Sequence, residues 1–106
     1  MQPGRLCLVI AAFALAVMTV PAHAATIQIV IKNLVYSPAV ASAKVGDTIE
    51  FVNEDVLAHT ATARDGDFDV MLPPKKTVTY VLKKAGNVDY YCRFHPNMKA
   101  TLKIEP

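Results

Sequence analysis

The chain has 106 residues, enough for one domain and a short additional segment but not for two domains of ordinary size. Its 11 lysine and arginine residues nearly balance 9 aspartate and glutamate residues, which gives a net charge of +2 at pH 7. This balance provides no concentrated basic surface and therefore argues against a nucleic-acid-binding protein.

The first 24 residues have the layout of a secretory signal peptide. Arg5 precedes a mainly apolar run from Leu6 to Val20, and the small-residue site Ala22-His23-Ala24 follows. The run is 15 residues long, short of the ~20 that a helix needs to cross a bilayer. We therefore expect residues 1–24 to be removed on export. Residues 25–106 would then form a single exported domain that is not stably inserted in a membrane.

Removal of the leader would leave one cysteine. Cys7 lies in the leader, so Cys92 would be the single thiol of the processed chain. No intramolecular disulfide could then form. A free thiol in an oxidising compartment needs either burial or a chemical role, such as that of a metal ligand.

The sequence pattern of residues 25–106 predicts a series of short strands. β-branched residues and alternating apolar positions dominate, turn residues separate the segments, and no long 3.6-residue apolar period predicts a helix. The predicted fold class is all-β, a Greek-key β-sandwich or barrel of seven to eight strands. The predicted strands cover residues 26–32, 40–45, 48–52, 59–63, 77–82, 88–92 and 99–104.

The strongest chemical signal lies between Cys92 and Met98. Cys92, His95 and Met98 present a thiolate, an imidazole and a thioether at successive three-residue steps, and His59 is the remaining histidine of residues 25–106. Two histidines and a cysteine in a trigonal site, with a weak and distant methionine, are typical of electron-transfer copper. The sequence therefore predicts that these four residues hold one copper ion that cycles between Cu(I) and Cu(II).

Taken singly, each of these residues also fits an ordinary structural role. Met98 or Cys92 alone would be a core residue, and a lone histidine would usually be a surface residue. Zinc sites rarely use a thioether, and structural ones want four strong donors. A nucleophilic enzyme built on Cys92 and His95 lacks an orienting third group and a substrate cleft, so we expect no enzymatic activity.

An apolar collar is predicted around the metal. Leu57, Met71, Phe94 and Pro96 could surround the site and offer a docking patch, although ordinary packing explains them equally well.

The sequence resembles the cupredoxins, specifically the single-domain plastocyanin-like group that contains amicyanin, over essentially all of residues 25–106. The gap of two residues between His95 and Met98 is the short amicyanin-like spacing. The matching segments are residues 86–98, Val45-Gly46-Asp47, His59-Thr60-Ala61-Thr62 and Asp65-Gly66-Asp67-Phe68-Asp69.

This resemblance implies a type 1 blue copper centre with His59, Cys92 and His95 as strong ligands and Met98 as the axial ligand. It also implies a periplasmic one-electron carrier, expected to be a monomer, that docks transiently near His95 with a redox donor and a redox acceptor. The alternative is a periplasmic copper carrier or sequestering protein that uses the same ligands.

The resemblance also covers residues outside the ligand set. Tyr90 matches the family's corner tyrosine, for which a structural role is implied. Arg93 and Phe94 replace a small residue and a proline of amicyanin, Thr60 stands where many relatives have Val or Asn, and Ala100 replaces a frequent Gly. The bulky pair at 93 and 94 bears more on the choice of partner than on the metal site.

Overall fold

The structure is a computed structural model that describes residues 23–106. The predicted leader, residues 1–24 with Cys7, lies almost wholly outside this range. Within it, no helix is long and apolar enough to cross a membrane. The described residues form nine β-strands: β1 Thr26–Lys32, β2 Val35–Ser37, β3 Val40–Lys44, β4 Thr48–Asn53, β5 His59–Ala63, β6 Asp69–Leu72, β7 Thr77–Val81, β8 Gly86–Tyr91 and β9 Lys99–Glu105.

The nine strands form two sheets of a sandwich, which confirms the predicted all-β class. One sheet has the order β2-β1-β4-β7 and the other the order β3-β9-β8-β5-β6. β1 runs parallel to β4, and β3 runs parallel to β9. Between β1 and β4 the chain visits the other sheet in β3, so the connections cross between layers as expected of a Greek-key sandwich.

Two of the nine strands are not among the seven segments predicted individually. β2 pairs with β1 through a two-residue turn at Asn33 and Leu34, both with positive φ (53° and 62°). Tight hairpins of this kind usually carry Asn-Gly. Because the second turn residue here is Leu34 rather than glycine, the sequence pattern does not predict the turn. β6 is four residues long and is fixed by pairing with β5, including Thr60 opposite Met71. Neither short strand has enough residues to show a clear alternation.

A single apolar core lies between the sheets. Ile29 of β1, Phe51 of β4 and Leu102 of β9 are fully buried, as the alternation in each strand predicts. Burial of a side chain of this size stabilises a fold by about 1.5–3 kcal/mol. His59 and Cys92 are also fully buried. The core therefore extends to the end of the sandwich where β5 begins and β8 ends.

Candidate metal centre

Strand pairing brings His59 to Cys92. His59 is the first residue of β5, and Cys92 follows the last residue of β8. β5 and β8 are antiparallel, with Thr62 opposite Tyr91, so the start of one strand lies beside the end of the other. This register closes the separation of 33 positions between the two residues.

The loop from Cys92 to Met98 is held by main-chain hydrogen bonds. The His95 N–H donates to the Cys92 carbonyl over 3.2 Å, and the Met98 N–H donates to the His95 carbonyl over 2.8 Å. A third bond, from the Cys92 N–H to the Met98 carbonyl over 3.2 Å, closes the loop. Pro96 occupies the second position of the second turn, which its fixed φ favours. Two successive turns explain why the candidate ligands recur every three residues.

Three donor atoms converge at this point. The Nδ1 atoms of His59 and His95 are 3.2 Å apart. The Cys92 Sγ lies 3.8 Å from the Nδ1 of His59 and 3.6 Å from that of His95. Metal bonds of about 2.0–2.3 Å to nitrogen and sulfur would place three donors in a plane at separations of about 3.5–3.8 Å. The two sulfur–nitrogen separations lie in this range and the nitrogen–nitrogen separation is slightly shorter, so the triangle has the size that a single small ion needs.

The sulfur atom lies in a shielded environment. Cys92 is a free, fully buried cysteine, and the main-chain N–H of Thr60 donates to its Sγ over 3.4 Å. Cysteine binds metal as the thiolate, and this N–H supplies the sulfur with a hydrogen-bond donor. Met98 is 3% exposed and is bonded through its main chain to both Cys92 and His95, so it belongs to the same cluster.

Asp55 orients His59, a role that sequence reasoning missed. The Nε2 of His59 lies 2.7 Å from the Oδ2 of Asp55. A ring that donates its Nε2–H to this carboxylate presents the lone pair of Nδ1 to the centre of the triangle. The spacing of four residues between the carboxylate and the histidine is the one signal that could have indicated the contact.

The same carboxylate holds the turn between β1 and β2. Its two oxygens accept the N–H groups of Asn33 over 2.7 Å and Leu34 over 3.0 Å. Burial opposes ionisation of Asp55, but the hydrogen bonds from Leu34, His59 and Asn33 outweigh it and hold the pKa of the carboxyl below its ordinary value. A stable negative charge therefore lies behind the His59 imidazole.

A closed ring of hydrogen bonds surrounds the residue after Cys92. The Arg93 N–H donates to the Thr60 Oγ1 over 2.9 Å, and this hydroxyl lies 2.8 Å from the Thr62 Oγ1. Thr62 donates to the Asp69 Oδ1 over 2.8 Å, which also accepts the Arg93 Nε–H over 3.2 Å. Arg93 is thus fixed at both its main chain and its side chain, which restrains the adjoining ligand.

Asn53 fixes the loop that leads to His59. It is 1% exposed, and its Nδ2 lies 2.9–3.1 Å from the carbonyl oxygens of Leu57, Leu72 and Pro73. Its Oδ1 accepts the N–H of Asp55 over 2.9 Å. The buried amide therefore anchors both the approach to β5 and the carboxylate that orients His59.

The hydrogen-bonded tyrosine of the core is Tyr36. Its hydroxyl donates to the carbonyl of Thr60, and burial, with smaller effects of Cys92 and Tyr90, raises its pKa. Tyr90 packs edge-on against Tyr36 with ring centroids 4.8 Å apart, and burial raises its pKa as well. Its hydroxyl has no hydrogen-bond partner among residues 23–106, so Tyr90 contributes packing alone.

Apolar side chains border the outer edge of the site. Leu34, Phe94 and Pro96 line a shallow depression together with His95, Asn97 and Met98. Leu34 and Phe94 are 42% and 47% exposed. Leu57 and Met71, which we expected in the same collar, are half-exposed but do not line this depression. Leu34 was not expected there, because its position depends on the turn between β1 and β2.

Comparisons with known proteins agree with this geometry. Residues 5–104 match a family described as the cupredoxin-like domain. The methylamine utilization protein MauL of Methylorubrum extorquens is 36% identical over 104 residues, covering 94% of this chain and 91% of that protein.

Solved structures are similar as well. The crystal structure of amicyanin from Paracoccus versutus superposes with a TM-score of 0.65 at 27% identity, covering 81% of this chain and 85% of amicyanin. A purple cupredoxin from Nitrosopumilus maritimus, 24% identical, shows the same fold with a TM-score of 0.66, covering 74% of this chain and 99% of its own.

Proposed function

The chain belongs to the cupredoxin-like family, and from that membership we propose that it is a one-electron carrier with a single type 1 copper ion. The observation that carries the proposal is the convergence of one cysteine sulfur and two imidazole nitrogens at 3.2–3.8 Å from one another. His59, Cys92 and His95 would be the strong ligands. The buried Met98 would be the weak axial ligand.

Bound copper would supply one-electron chemistry between Cu(I) and Cu(II). The chain supplies a pocket that resists rearrangement. His59 and Cys92 are fully buried at strand ends, and hydrogen bonds from their neighbours hold both side chains. Ligands that stay fixed suit both oxidation states, so little reorganisation opposes electron transfer.

His95 is the route by which electrons would enter and leave. It is the partly exposed ligand, and it borders the depression lined by Leu34, Phe94 and Pro96. An apolar edge of this kind suits transient docking of a redox donor or acceptor to a monomeric carrier. The similarity to a methylamine utilization protein makes a protein of that process the first partner to test.

Residues 1–24 would act as a signal peptide, and residues 25–106 would function as the mature domain in the periplasm. The apolar run and the Ala22-His23-Ala24 site support this proposal. The buried thiol also suits an oxidising compartment, because Cys92 is shielded from disulfide exchange.

The proposed role is not that of an enzyme. Cys92 and His59 form a thiol–imidazole pair with Asp55 behind the ring, an order of groups that nucleophilic enzymes also use. Both Cys92 and His59 are fully buried, however, and no substrate could reach the sulfur. Their burial supports a ligand role instead.

Reconstitution with Cu(II) tests the proposal. The protein should develop an intense visible band from thiolate-to-copper charge transfer and should cycle reversibly at an electrode. Cys92→Ser should abolish the band, whereas Met71→Leu, which changes a half-exposed methionine outside the site, should leave it intact. A folded protein that stays colourless with one equivalent of Cu(II) would refute the copper proposal.

Competition with a moderate chelator separates the electron carrier from the copper carrier that uses the same ligands. Because two of the three strong donors are fully buried, we expect slow metal loss. Loss within seconds would instead favour copper delivery.

A further inference from the structure

A buried carboxylate lies at the end of β4 away from the candidate metal centre. Asp47 follows Gly46, whose φ of 98° suits glycine, in the turn between β3 and β4, and is 6% exposed. Its Oδ1 accepts the N–H of Ala25 over 2.8 Å, and its Oδ2 accepts the N–H of Lys44 over 2.9 Å. No part of the proposed copper chemistry uses this group.

The donor to Asp47 is the residue at which the processed chain would begin. Cleavage after Ala24 converts the amide nitrogen of Ala25 into an α-ammonium group. We propose that Asp47 is the receptor for this ammonium group, so that removal of the leader creates an ion pair between the new N-terminus and the turn before β4. This inference rests on the cleavage site given under the proposed function.

Ala25 is already held where its nitrogen can pair with Asp47 once that nitrogen becomes an ammonium group. The Ala25 carbonyl accepts the N–H of Thr48 over 2.9 Å, so the residue stays beside Asp47 when the preceding chain is removed. An ammonium group has three donors where the amide has one, and it adds a full positive charge opposite the Asp47 carboxylate. The precursor can form only a single bond from an uncharged amide to this carboxylate.

The surrounding charges permit the pairing. His23, Lys44 and Glu105 line the groove that contains Ala25 and Asp47. His23 leaves with the leader. Glu105 adds a second negative charge that favours an ammonium group, and Lys44 is the one cation lining this groove that opposes it. Removal of the leader would therefore hold the start of β1 against the start of β4. The exported form would be more stable than its precursor.

A double-mutant cycle tests the pairing. Residues 25–106 would be prepared with a free or an acetylated N-terminus, each with Asp47 or with Asp47→Asn, and unfolded in urea. Acetylation should raise the unfolding equilibrium constant about fivefold when Asp47 is present and should have a much smaller effect in Asp47→Asn, where Glu105 is the remaining acidic residue that lines the groove. An equal effect of acetylation in both backgrounds would overturn the proposal.

A second comparison covers the case in which Asp47→Asn does not fold. A chain that begins at Ala24 carries its ammonium one residue away from Asp47 and should be destabilised to a similar extent. If it unfolds at the same urea concentration as the chain that begins at Ala25, the ion pair does not exist.

Failure here is distinguishable from failure of the copper proposal. The intact mass of the exported protein establishes where the leader is cut, and cleavage at another bond would overturn the Asp47 inference while leaving the copper band unaffected. A colourless protein that begins at Ala25 would refute the copper centre and leave the ion pair standing.

Discussion

Replacement of Thr60 by valine isolates the ring of hydrogen bonds behind the candidate metal centre. Thr60 is fully buried, and its Oγ1 accepts the Arg93 N–H over 2.9 Å and lies 2.8 Å from the Thr62 Oγ1. Valine has nearly the same volume, so Thr60→Val removes these two bonds without opening a cavity. The main-chain N–H of Thr60, which donates to the Cys92 sulfur, is retained.

The expected loss follows from the two bonds. An amide left without its acceptor in a partly buried position costs about 1–3 kcal/mol, and the second bond adds about 1 kcal/mol. We therefore expect Thr60→Val to lower the free energy of unfolding by about 2–4 kcal/mol. Thr60→Ser keeps the hydroxyl and loses one buried methyl group, which costs about 1 kcal/mol. Thr62→Val, at a half-buried position, removes two bonds of the ring, those to Thr60 and Asp69, but leaves the Arg93 N–H with its acceptor.

The assay is urea unfolding of the metal-free proteins, followed by the visible spectrum after Cu(II) is added. Thr60→Val should shift the charge-transfer band and release copper faster, because Arg93 adjoins Cys92. Thr60→Ser should keep the wild-type band. If the two substitutions destabilise equally and neither alters the spectrum, the ring does not position the cysteine.

Further substitutions test the buried polar groups. Tyr36→Phe should lower the free energy of unfolding by about 1–2 kcal/mol because the Thr60 carbonyl loses its donor, whereas Tyr90→Phe should be neutral or stabilising because its hydroxyl has no partner among residues 23–106. Asn53→Leu should cost about 3 kcal/mol or more in urea unfolding, since the amide bonds of a fully buried side chain are lost. Hydrogen bonds from the main-chain N–H groups of residues 25 and 44 lower the pKa of Asp47, so its ionised form stabilises the fold above the ordinary aspartate pKa and that contribution is lost as pH falls through the lowered value. Urea midpoints measured over a pH series should therefore fall on acidification, with a shallower slope in Asp47→Asn.

Local patterns were enough to predict most of the fold. Most of the longer strands show the alternation that a strand with one buried face must have, and β4 and β9 bury every second residue as expected. β2 and β6 were harder to predict because each is specified by its pairing partner rather than by its own residues. The hairpin turn at Leu34 is stabilised by a carboxylate 21 positions away, a contact that no local rule contains.

The candidate ligands could be identified from the sequence because few residue types serve as soft metal donors. Cys92, His59 and His95 are of types that are scarce in the chain, and the structure brings their donor atoms together. The supporting residues Asp55 and Thr60 are of common types, and their roles depend on which strand ends meet. Position in the sandwich, rather than residue type, makes them part of the site.

Asp55 links the buried and exposed sides of this site. One carboxylate holds the His59 ring from behind and accepts the N–H groups of the turn that places Leu34 on the outer depression. His95 has no such anchor among residues 23–106 and is held by main-chain bonds within its loop. The His95 ring is therefore less restrained than the His59 ring, and it is also more exposed. If the site holds copper as proposed, any change in the position of a ligand on reduction or on docking should occur at His95, because movement of His59 would also disrupt the turn that places Leu34 on the outer depression.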